Sequence, residues 1–197
     1  MGDRAVFLDR DGTINEEIGY LHAIEQLRFI DGAPAAIARL NAAAFKVIVV
    51  TNQAGVARGY YEEDSVRRLH RAMQEQLRKY DARIDGFYYC PHHPDNGVGE
   101  YKIDCRCRKP KPGMLEHAAR DLGVDLGGSF VVGDRISDLE AGRAAGCRLV
   151  LVRTGYGRDS ERELAGHDLR PDFIAFDVAE ACEWILQPER RLSRHGH

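Results

Sequence analysis

Short, almost entirely apolar runs alternate along the chain with segments whose apolar residues recur every three or four positions. Runs of the first kind are typical of strands covered on both faces, and the second spacing is typical of amphipathic helices. The runs predict strands at residues 5–9, 46–51, 86–90, 129–134 and 148–152. The periodic segments predict helices at residues 33–44, 62–80, 113–123, 137–146 and 177–186. Ser137 and Glu140 have the spacing of a capping box and are expected to open the fourth helix.

This alternation predicts the fold class: an α/β, Rossmann-like three-layer sandwich with a central parallel sheet and helices on both faces. We expect one domain over residues 1–187, followed by a disordered tail over residues 188–197. Two insertions interrupt the rhythm, at residues 12–32 and 90–107. Neither forms a large separate cap domain. Each follows the C-terminal end of a strand, where ligands bind in open α/β sheets.

Composition and charge narrow the classes of function. Apolar residues make up 44% and charged residues 30% of the 197-residue chain, as in a soluble globular protein. The formal net charge of −3 offers no basic field, so we expect no nucleic-acid partner. No apolar run approaches the roughly 20 residues of a membrane span, and MGDRAVFLDRDG lacks the features of a signal peptide. We therefore expect a cytoplasmic monomer with no membrane partner.

Aspartates follow two of the predicted strands. Asp9 and Asp11 end the first strand in FLDRDGT, and Asp134 ends another in VVGDRISD, with Asp138 one helical turn later. The carboxyl ends of parallel strands meet at one edge of a sheet, so we expect these side chains to converge there with Thr51. Mg²⁺ prefers a few carboxylates together with water and phosphate oxygens. The aspartates therefore predict a magnesium site.

A magnesium–carboxylate centre favours phosphoryl transfer. One metal-neutralised carboxylate can attack phosphorus and form an aspartyl-phosphate. A second acid can protonate the leaving oxygen and then activate water. Lys109 and Thr51 would hold the other phosphoryl oxygens as charge shifts in the transition state.

Four metal-binding residue types occur in one polar loop, CPHHPDNGVGEYKIDCRC. The predicted ligands are Cys90, His92, Cys105 and Cys107. Three cysteines and one histidine suit a closed tetrahedral Zn²⁺ site, which is structural as a rule. His93 is an alternative ligand that the spacing leaves open. Such a clamp would hold Arg108 and Lys109, which follow directly, in fixed positions.

Together these motifs resemble those of the haloacid dehalogenase (HAD) superfamily. DRDGT resembles its first motif, the Thr51 region its second, Lys109 its third and GDRISD its fourth. The resemblance covers residues 4–185. The Cys/His loop and the absence of a large cap narrow it to a subgroup. That subgroup contains D-glycero-D-manno-heptose 1,7-bisphosphate 7-phosphatase and histidinol-phosphate phosphatase.

The resemblance implies a role for each matching residue. Asp9 would be the nucleophile and Asp11 the general acid and base, while Thr51 and Lys109 would orient the phosphoryl group. Asp138 would orient Lys109 or the waters around the metal. The magnesium ligands would be Asp9, Asp134 and the backbone carbonyl of Asp11. The resemblance also favours His92 over His93 as the fourth zinc ligand.

The resemblance further implies a phosphorylated sugar as the small-molecule substrate. GYLH, residues 19–22, resembles the GYVH-type segment of heptose bisphosphatases. Arg58, Arg108 and Arg135 offer more positive charge than one phosphate monoester requires. Substrate contacts are expected from Gly19, Tyr20, His22, Asn52, Arg108 and Arg135.

These features favour an Mg²⁺-dependent phosphatase acting on the 7-phosphate of D-glycero-D-manno-heptose 1,7-bisphosphate, in a heptose pathway such as lipopolysaccharide biosynthesis. The alternative is a histidinol-phosphate phosphatase of histidine biosynthesis. A mutase or phosphotransferase stays open, but hydrolysis is favoured because no cap domain excludes water. A non-catalytic phosphate-binding protein would be expected to lack Asp9 or Asp11, and both are present.

Overall fold

A computed structural model describes residues 2–187, so the predicted disordered tail at 188–197 lies outside the described residues. The centre of the protein is a six-stranded parallel sheet with the strand order β3-β2-β1-β4-β5-β6. Its strands are β1 (Ala5–Leu8), β2 (Lys46–Asn52), β3 (Gly86–Cys90), β4 (Phe130–Gly133), β5 (Arg148–Val152) and β6 (Phe173–Ala175). The predicted parallel α/β architecture is confirmed.

Seven α-helices accompany these strands within residues 2–187. They are α1 (Ala33–Ala42), α2 (Ala54–Ala57), α3 (Glu63–Arg78), α4 (Gly113–Leu122), α5 (Ile136–Ala145), α6 (Gly157–Glu163) and α7 (Val178–Leu186). The pattern predicted five of them and missed α2 and α6, because each is too short to show a helical repeat. It also missed β6, which is only three residues long.

Both faces of the sheet are buried, which explains the almost continuous apolar character of its strands. In β1, Val6 and Leu8 join a core with residues of α1, α3 and α7. Ala5 and Phe7 join a second core with residues of α4 and α5. The helices therefore form two outer layers around the sheet. No helix within residues 2–187 is long and apolar enough to cross a bilayer.

The start of α5 differs from the predicted capping box, which was wrong. Arg135 occupies the position before the helix and donates its backbone N–H to Asp138 Oδ2 at 3.0 Å. Ser137 lies inside the first turn and lines a pocket instead. The aspartate at the third helical position thus accepts the backbone N–H that the expected glutamate would accept in a capping box. The consequence is that Asp138 is held at a fixed place beside the end of β4.

The strand order reverses direction between β1 and β4, which makes this point the switch point of the sheet. The first insertion folds over it, with bridges from Asn15 to Asp11 and to Phe29. The second insertion, the segment between β3 and α4, lies on the other side. Val98 in this segment donates its backbone N–H to Ala57 O at 2.8 Å. The fold thus places both insertions around one crevice.

Candidate active site

Three aspartates lie together at the switch point. Asp9 directly follows β1, and Asp134 directly follows β4, the neighbouring strand. Asp138 reaches the same place from the first turn of α5. All three are buried, and one oxygen from each lies within 4.8 Å of the others. The structure therefore brings Asp9, Asp134 and Asp138 together as predicted, whereas the Asp11 carboxylate, also expected there, is not part of this cluster.

The cluster is electrostatically costly when all three groups are ionised. Burial, opposed by Lys109 and reinforced by Asp138, raises the pKa of Asp9 to about 7. Burial, reinforced by Asp9 and Asp138, raises the pKa of Asp134 to about 8. A divalent cation would offset this repulsion and hold the carboxylates in their ionised forms.

Asp134 offers one free carboxylate oxygen to such a cation. Its Oδ2 accepts the backbone N–H of Tyr156 at 2.8 Å. Its Oδ1 is buried and has no hydrogen-bond partner within the described part of the chain. A Cβ at Gly12 or Gly155 would lie against this carboxylate, so both glycines are needed for the close approach. A bare oxygen beside Asp9 suits Mg²⁺, which takes a few carboxylates and completes its shell with water.

Lys109 pairs with two members of the cluster. Its Nζ lies 2.6 Å from Asp9 Oδ1 and 2.6 Å from Asp138 Oδ1, and it donates to Val50 O at 2.7 Å. Burial acts to lower the pKa of Lys109, but the attraction of Asp138 and Asp9 outweighs it, so the pKa is raised. Lys109 is therefore a permanent cation at the floor of the site.

Asn52 holds the backbone of Lys109 in place. Its Nδ2 donates to Lys109 O at 3.0 Å, and its Oδ1 accepts the Lys109 N–H at 3.1 Å. Asn52 was predicted to contact substrate, and it does line the pocket. Its amide group, however, is already engaged with the lysine.

The Asp11 carboxylate is held by three neighbouring side chains. Arg10 donates through Nη2 to Oδ2 at 2.7 Å and through Nε to Oδ1 at 3.1 Å. Asn15 Nδ2 donates to Oδ1 at 3.0 Å, and Gln53 Nε2 donates to Oδ2 at 3.1 Å. Burial acts to raise the pKa of Asp11, but Arg10 and these hydrogen bonds outweigh it, so the pKa is lowered. Gln53 also donates to Thr51 Oγ1 at 2.9 Å, which couples Thr51 to the same network.

These groups form the floor of an open pocket of about 440 Å³. The first insertion supplies one wall, with Glu17, Gly19 and Tyr20. The remaining walls are formed by Asn52, Gln53, Ala54, Tyr61, Arg108, Arg135, Ser137 and Tyr156. The predicted substrate contacts Gly19, Tyr20, Asn52, Arg108 and Arg135 therefore share one pocket with Asp9, Asp11, Thr51 and Lys109.

His22, also predicted to touch substrate, is not among the pocket-lining residues. Its Nδ1 lies 2.8 Å from Tyr20 O, and its ring stacks on Tyr61 with 4.9 Å between centroids. Both partners line the pocket. His22 therefore contacts two residues of the pocket wall without lining the pocket itself.

The two arginines of the pocket are held by different contacts. The Arg135 guanidinium lies 3.8 Å from the centroid of the Tyr156 ring, and its Nη2 lies 3.7 Å from Glu17 Oε2. Arg108 donates through Nη1 to His92 O at 3.0 Å, so it is tied to the Cys/His loop. Both arginines line the pocket, and each guanidinium has further N–H donors beyond these contacts.

The four predicted zinc ligands converge on one point at the end of β3. The Sγ atoms of Cys90, Cys105 and Cys107 lie 2.8–3.3 Å apart, and His92 Nδ1 lies 3.8 Å from Cys107 Sγ. Hydrogen bonding from Cys90 lowers the pKa of Cys107 to about 5, so the cluster supplies a thiolate. Three sulfur ligands and one nitrogen in this arrangement fit a tetrahedral Zn²⁺ site.

His93 points away from the cysteine cluster. Its Nδ1 accepts the backbone N–H groups of Asp95 at 3.2 Å and Asn96 at 3.1 Å. The alternative that the spacing left open is thereby decided geometrically, because His92 alone of the two lies with the cysteines.

Several residues of the site were missed by sequence reasoning. Arg10 and Gln53 hold Asp11, Glu17 and Tyr156 line the pocket, and Asn15 completes the grip on Asp11. Two signals were present in the sequence. Gln53 directly follows β2, and the TGYG turn containing Tyr156 follows β5. Both lie at the carboxyl edge of the sheet, where the rule that located the aspartates also applies.

Known proteins share both the sequence and this site-bearing fold. A family model described as HAD-hydrolase-like matches residues 106–181. The chain is 49% identical over 153 residues to the D-glycero-beta-D-manno-heptose-1,7-bisphosphate 7-phosphatase of Pasteurella multocida (strain Pm70), covering 77% of this chain and 83% of that protein. The chain belongs to the heptose-1,7-bisphosphate 7-phosphatase family of HAD hydrolases.

Two further members of this family support the assignment. The D-glycero-alpha-D-manno-heptose-1,7-bisphosphate 7-phosphatase of Burkholderia mallei (strain ATCC 23344) is 47% identical over 152 residues, which are 77% of this chain and 80% of that one. The crystal structure of D,D-heptose 1,7-bisphosphate phosphatase from B. bronchiseptica, complexed with magnesium and phosphate, superposes with a TM-score of 0.82 at 36% identity. It covers 93% of this chain and 98% of its own. The predicted HAD membership, fold and phosphoric monoester hydrolase class are therefore confirmed.

Proposed function

We propose that the chain is an Mg²⁺-dependent phosphatase that removes the 7-phosphate of D-glycero-D-manno-heptose 1,7-bisphosphate. One observation carries the proposal: Asp9, Asp134 and Asp138 form a buried cluster, and Lys109 pairs with Asp9 and Asp138 at the floor of an open, polar pocket. The names of the relatives from P. multocida and B. mallei support the heptose bisphosphate as substrate.

In this proposal Asp9 is the nucleophile. A carboxylate oxygen of Asp9 forms a bond to phosphorus, the bond from phosphorus to the sugar oxygen breaks, and Asp11 gives its proton to that oxygen. Water then attacks phosphorus, Asp11 takes a proton from the water, and inorganic phosphate leaves with Asp9 restored. The negative charge of an incoming phosphate opposes the effect of Arg10 and favours the protonated form of Asp11 needed in the first step.

The remaining residues at the floor hold charge and position. Asp9, Asp134 and the backbone carbonyl of Asp11 are the proposed ligands of Mg²⁺. When bound, the metal would neutralise the carboxylates and polarise phosphoryl oxygens. We propose that Lys109, whose Nζ already contacts Asp9, Asp138 and Val50 O, stabilises the phosphoryl oxygens through its positive charge, and that Thr51 donates its hydroxyl to them. Asp138, paired with Lys109, keeps the lysine extended toward Asp9.

The upper part of the pocket suits a sugar that carries a second anionic group. Arg108 and Arg135 supply fork-shaped donors that match a phosphate, and Gly19 and Tyr20 close the opposite wall. We also propose that the Cys/His cluster binds Zn²⁺ and fixes Arg108 through its neighbour Cys107. Action in a pathway to heptose-containing glycans such as lipopolysaccharide, a cytoplasmic location and a monomeric state remain predictions from the sequence.

The proposal is tested by measuring phosphate release with Mg²⁺ from both anomers of heptose 1,7-bisphosphate, fructose 1,6-bisphosphate and histidinol phosphate. We expect the highest kcat/KM for one heptose anomer. Asp9→Asn is expected to abolish release, whereas Asp168→Asn, which changes an exposed aspartate, is expected to retain it. A preference for histidinol phosphate would contradict the proposed substrate, and full activity of Asp9→Asn would contradict the assignment of Asp9 as nucleophile.

A further inference from the structure

Arg10 is the largest side chain among those that the fold buries completely. It lies inside the DRDGT motif, between the two aspartates, and is not among the residues that line the pocket. A buried guanidinium must have its charge paired and its donors occupied, because desolvating it is otherwise prohibitive. The contacts of Arg10 therefore indicate why the fold retains it.

The charge of Arg10 is directed at the carboxylate of Asp11. Nε and Nη2 together reach both oxygens, at 3.1 Å to Oδ1 and 2.7 Å to Oδ2. Nη2 also lies 3.3 Å from Gln53 Oε1, and Gln53 itself donates to Asp11. This fork-shaped contact fixes the plane of the carboxylate as well as its position, which a point charge would not do.

A second layer holds Arg10 and Gln53 in turn. Arg10 Nη1 lies 3.3 Å from Nε2 of His70, a buried residue of α3. The His70 ring stacks on Phe87 of β3 with 4.6 Å between centroids. Burial, reinforced by Arg10, lowers the pKa of His70 to about 3, so the neutral ring accepts the Arg10 hydrogen bond. Tyr61 donates its hydroxyl to Gln53 Oε1 at 2.9 Å.

These contacts connect the Asp11 carboxylate with α3, β3 and the turn after β2. A buried arginine serving stability alone would be replaceable by a well-packed apolar side chain. Here both layers end on the group that the proposed mechanism uses twice, as acid and as base. The arrangement therefore has the properties of a support for a reacting group.

We propose that Arg10 is a positioning residue that, braced by His70, holds the Asp11 carboxyl where it meets the leaving oxygen and later the attacking water. This inference deepens the proposed function and rests on it. It predicts a defect that depends on the leaving group, because proton donation matters for a sugar alkoxide and little for a phenolate that leaves unaided.

The test compares kcat/KM for the heptose bisphosphate and for para-nitrophenyl phosphate in Arg10→Lys. Lysine keeps the positive charge but loses the fork. We expect a loss of about 100-fold with the sugar phosphate, the effect of misplacing a catalytic group by about 1 Å. With para-nitrophenyl phosphate we expect a loss below about fivefold, since formation of the aspartyl-phosphate then needs no acid.

A second readout follows from the base role of Asp11. In Arg10→Lys, attack of water on the aspartyl-phosphate should become slow, so para-nitrophenol should appear in a burst close to one equivalent per enzyme before the steady state. The wild-type protein should show no burst of that size. A purely structural defect would lower kcat/KM equally for both substrates and would give no burst of para-nitrophenol.

His70→Phe provides an independent variant if Arg10→Lys does not fold. Phenylalanine keeps the stack on Phe87 and removes the acceptor from Arg10, so we expect the same leaving-group dependence at smaller magnitude. The matched control is Arg71→Lys, which changes an exposed residue next to His70 on α3 and should leave kcat/KM for both substrates unchanged. Circular dichroism melting should accompany each variant.

The outcomes separate this inference from the proposed function. A wild-type protein inactive on both phosphates would defeat the proposed function. An active wild-type protein with equal losses on both substrates in Arg10→Lys and in His70→Phe would defeat the positioning role alone. Unequal losses in the expected direction, with a burst, would support both.

Discussion

At the scale of single residues, the site is governed by the cost of burying charge. Asp9, Asp134 and Asp138 are close and buried, and one lysine cannot neutralise three carboxylates. The raised pKa values of Asp9 and Asp134 are the direct consequence.

The stabilisation by Mg²⁺ should increase with pH. In the metal-free protein the folded state binds more protons than the unfolded state between the ordinary carboxyl pKa of 3.8 and the raised values of about 7 and about 8. Its stability therefore falls as the pH rises through this window. Mg²⁺ competes with these protons, so its effect is larger when they have dissociated.

The measurement is the shift in melting temperature on adding Mg²⁺ at about pH 6 and about pH 8.5, by differential scanning fluorimetry. We expect the larger shift at the higher pH. Asp134→Asn should lose most of the shift at both. An equal shift at the two pH values in the wild-type protein would contradict the assignment of the cluster.

Lys109→Met should destabilise the protein in a pH-dependent way. Removing the lysine leaves Asp9 and Asp138 buried without their partner, which costs about 3 kcal/mol when both are ionised. The loss should shrink at acid pH because the carboxylates then take up protons. Urea unfolding at two pH values measures it.

Lys111→Met is the matched control for this lysine. Lys111 pairs with Asp104 at 2.5 Å on the surface, where such a pair contributes about 0–1 kcal/mol. If the two variants proved equally stable, the buried pairing of Lys109 with the aspartates would not matter to the fold.

At the scale of elements, the segment between β3 and α4 joins the cysteine cluster to the pocket. Tyr101 in this segment donates its hydroxyl to Glu63 Oε1 of α3 at 3.0 Å. Val98 donates its backbone N–H to Ala57 O at the end of α2. The cluster itself holds the two ends of the segment together. Arg108 and Lys109 directly follow Cys107, the last cysteine of the cluster. A segment held in one conformation therefore keeps both residues in fixed positions.

If the Cys/His cluster binds Zn²⁺ as proposed, Cys107→Ala should lower the zinc content of the protein and weaken substrate binding together. Loss of one ligand opens a tetrahedral site, and the freed segment no longer holds Arg108 against the pocket. We expect a lower melting temperature and a KM higher by about tenfold. Metal content by atomic emission and steady-state kinetics measure the two effects.

Cys147→Ala is the appropriate control for Cys107→Ala. Cys147 is buried beside β5 and lies outside the Cys/His cluster, so the zinc content and KM of Cys147→Ala should match those of the wild type. Full zinc content and unchanged kinetics in Cys107→Ala would refute the clamp.

At the scale of the whole molecule, the pocket exists only where separate segments meet. Tyr20 of the first insertion packs edge-on against Tyr60, which follows α2, with 4.8 Å between ring centroids. These rings remain 40% and 56% exposed, so their contact contributes little to the core. Its effect is to hold the wall formed by the first insertion against the body of the protein.

Tyr60→Ala should therefore raise KM for the sugar bisphosphate severalfold and leave kcat and the melting temperature close to those of the wild type. The floor of the site does not contact Tyr60, so the chemical step should be unchanged. Tyr80→Ala, which removes a similarly exposed tyrosine beyond α3, is the control and should change neither constant. A fall in kcat without a change in KM would contradict this view of the wall.

The sequence alone determined the α/β class and predicted the carboxyl edge of the sheet as the place of chemistry, because apolar periodicity and motif order are local properties. It predicted Asp9, Asp11, Thr51 and Lys109 as reacting residues from their places at strand ends and within motifs. It also proposed the four ligands of the Cys/His loop.

Only the tertiary structure decided which side chains face one another. Arg10 pairs with Asp11, His92 and not His93 joins the cysteines, and His22 stacks on Tyr61 without lining the pocket. Neighbouring residues can point in opposite directions, and their partners lie tens of residues away. Such choices follow from packing between segments, which a linear pattern does not contain.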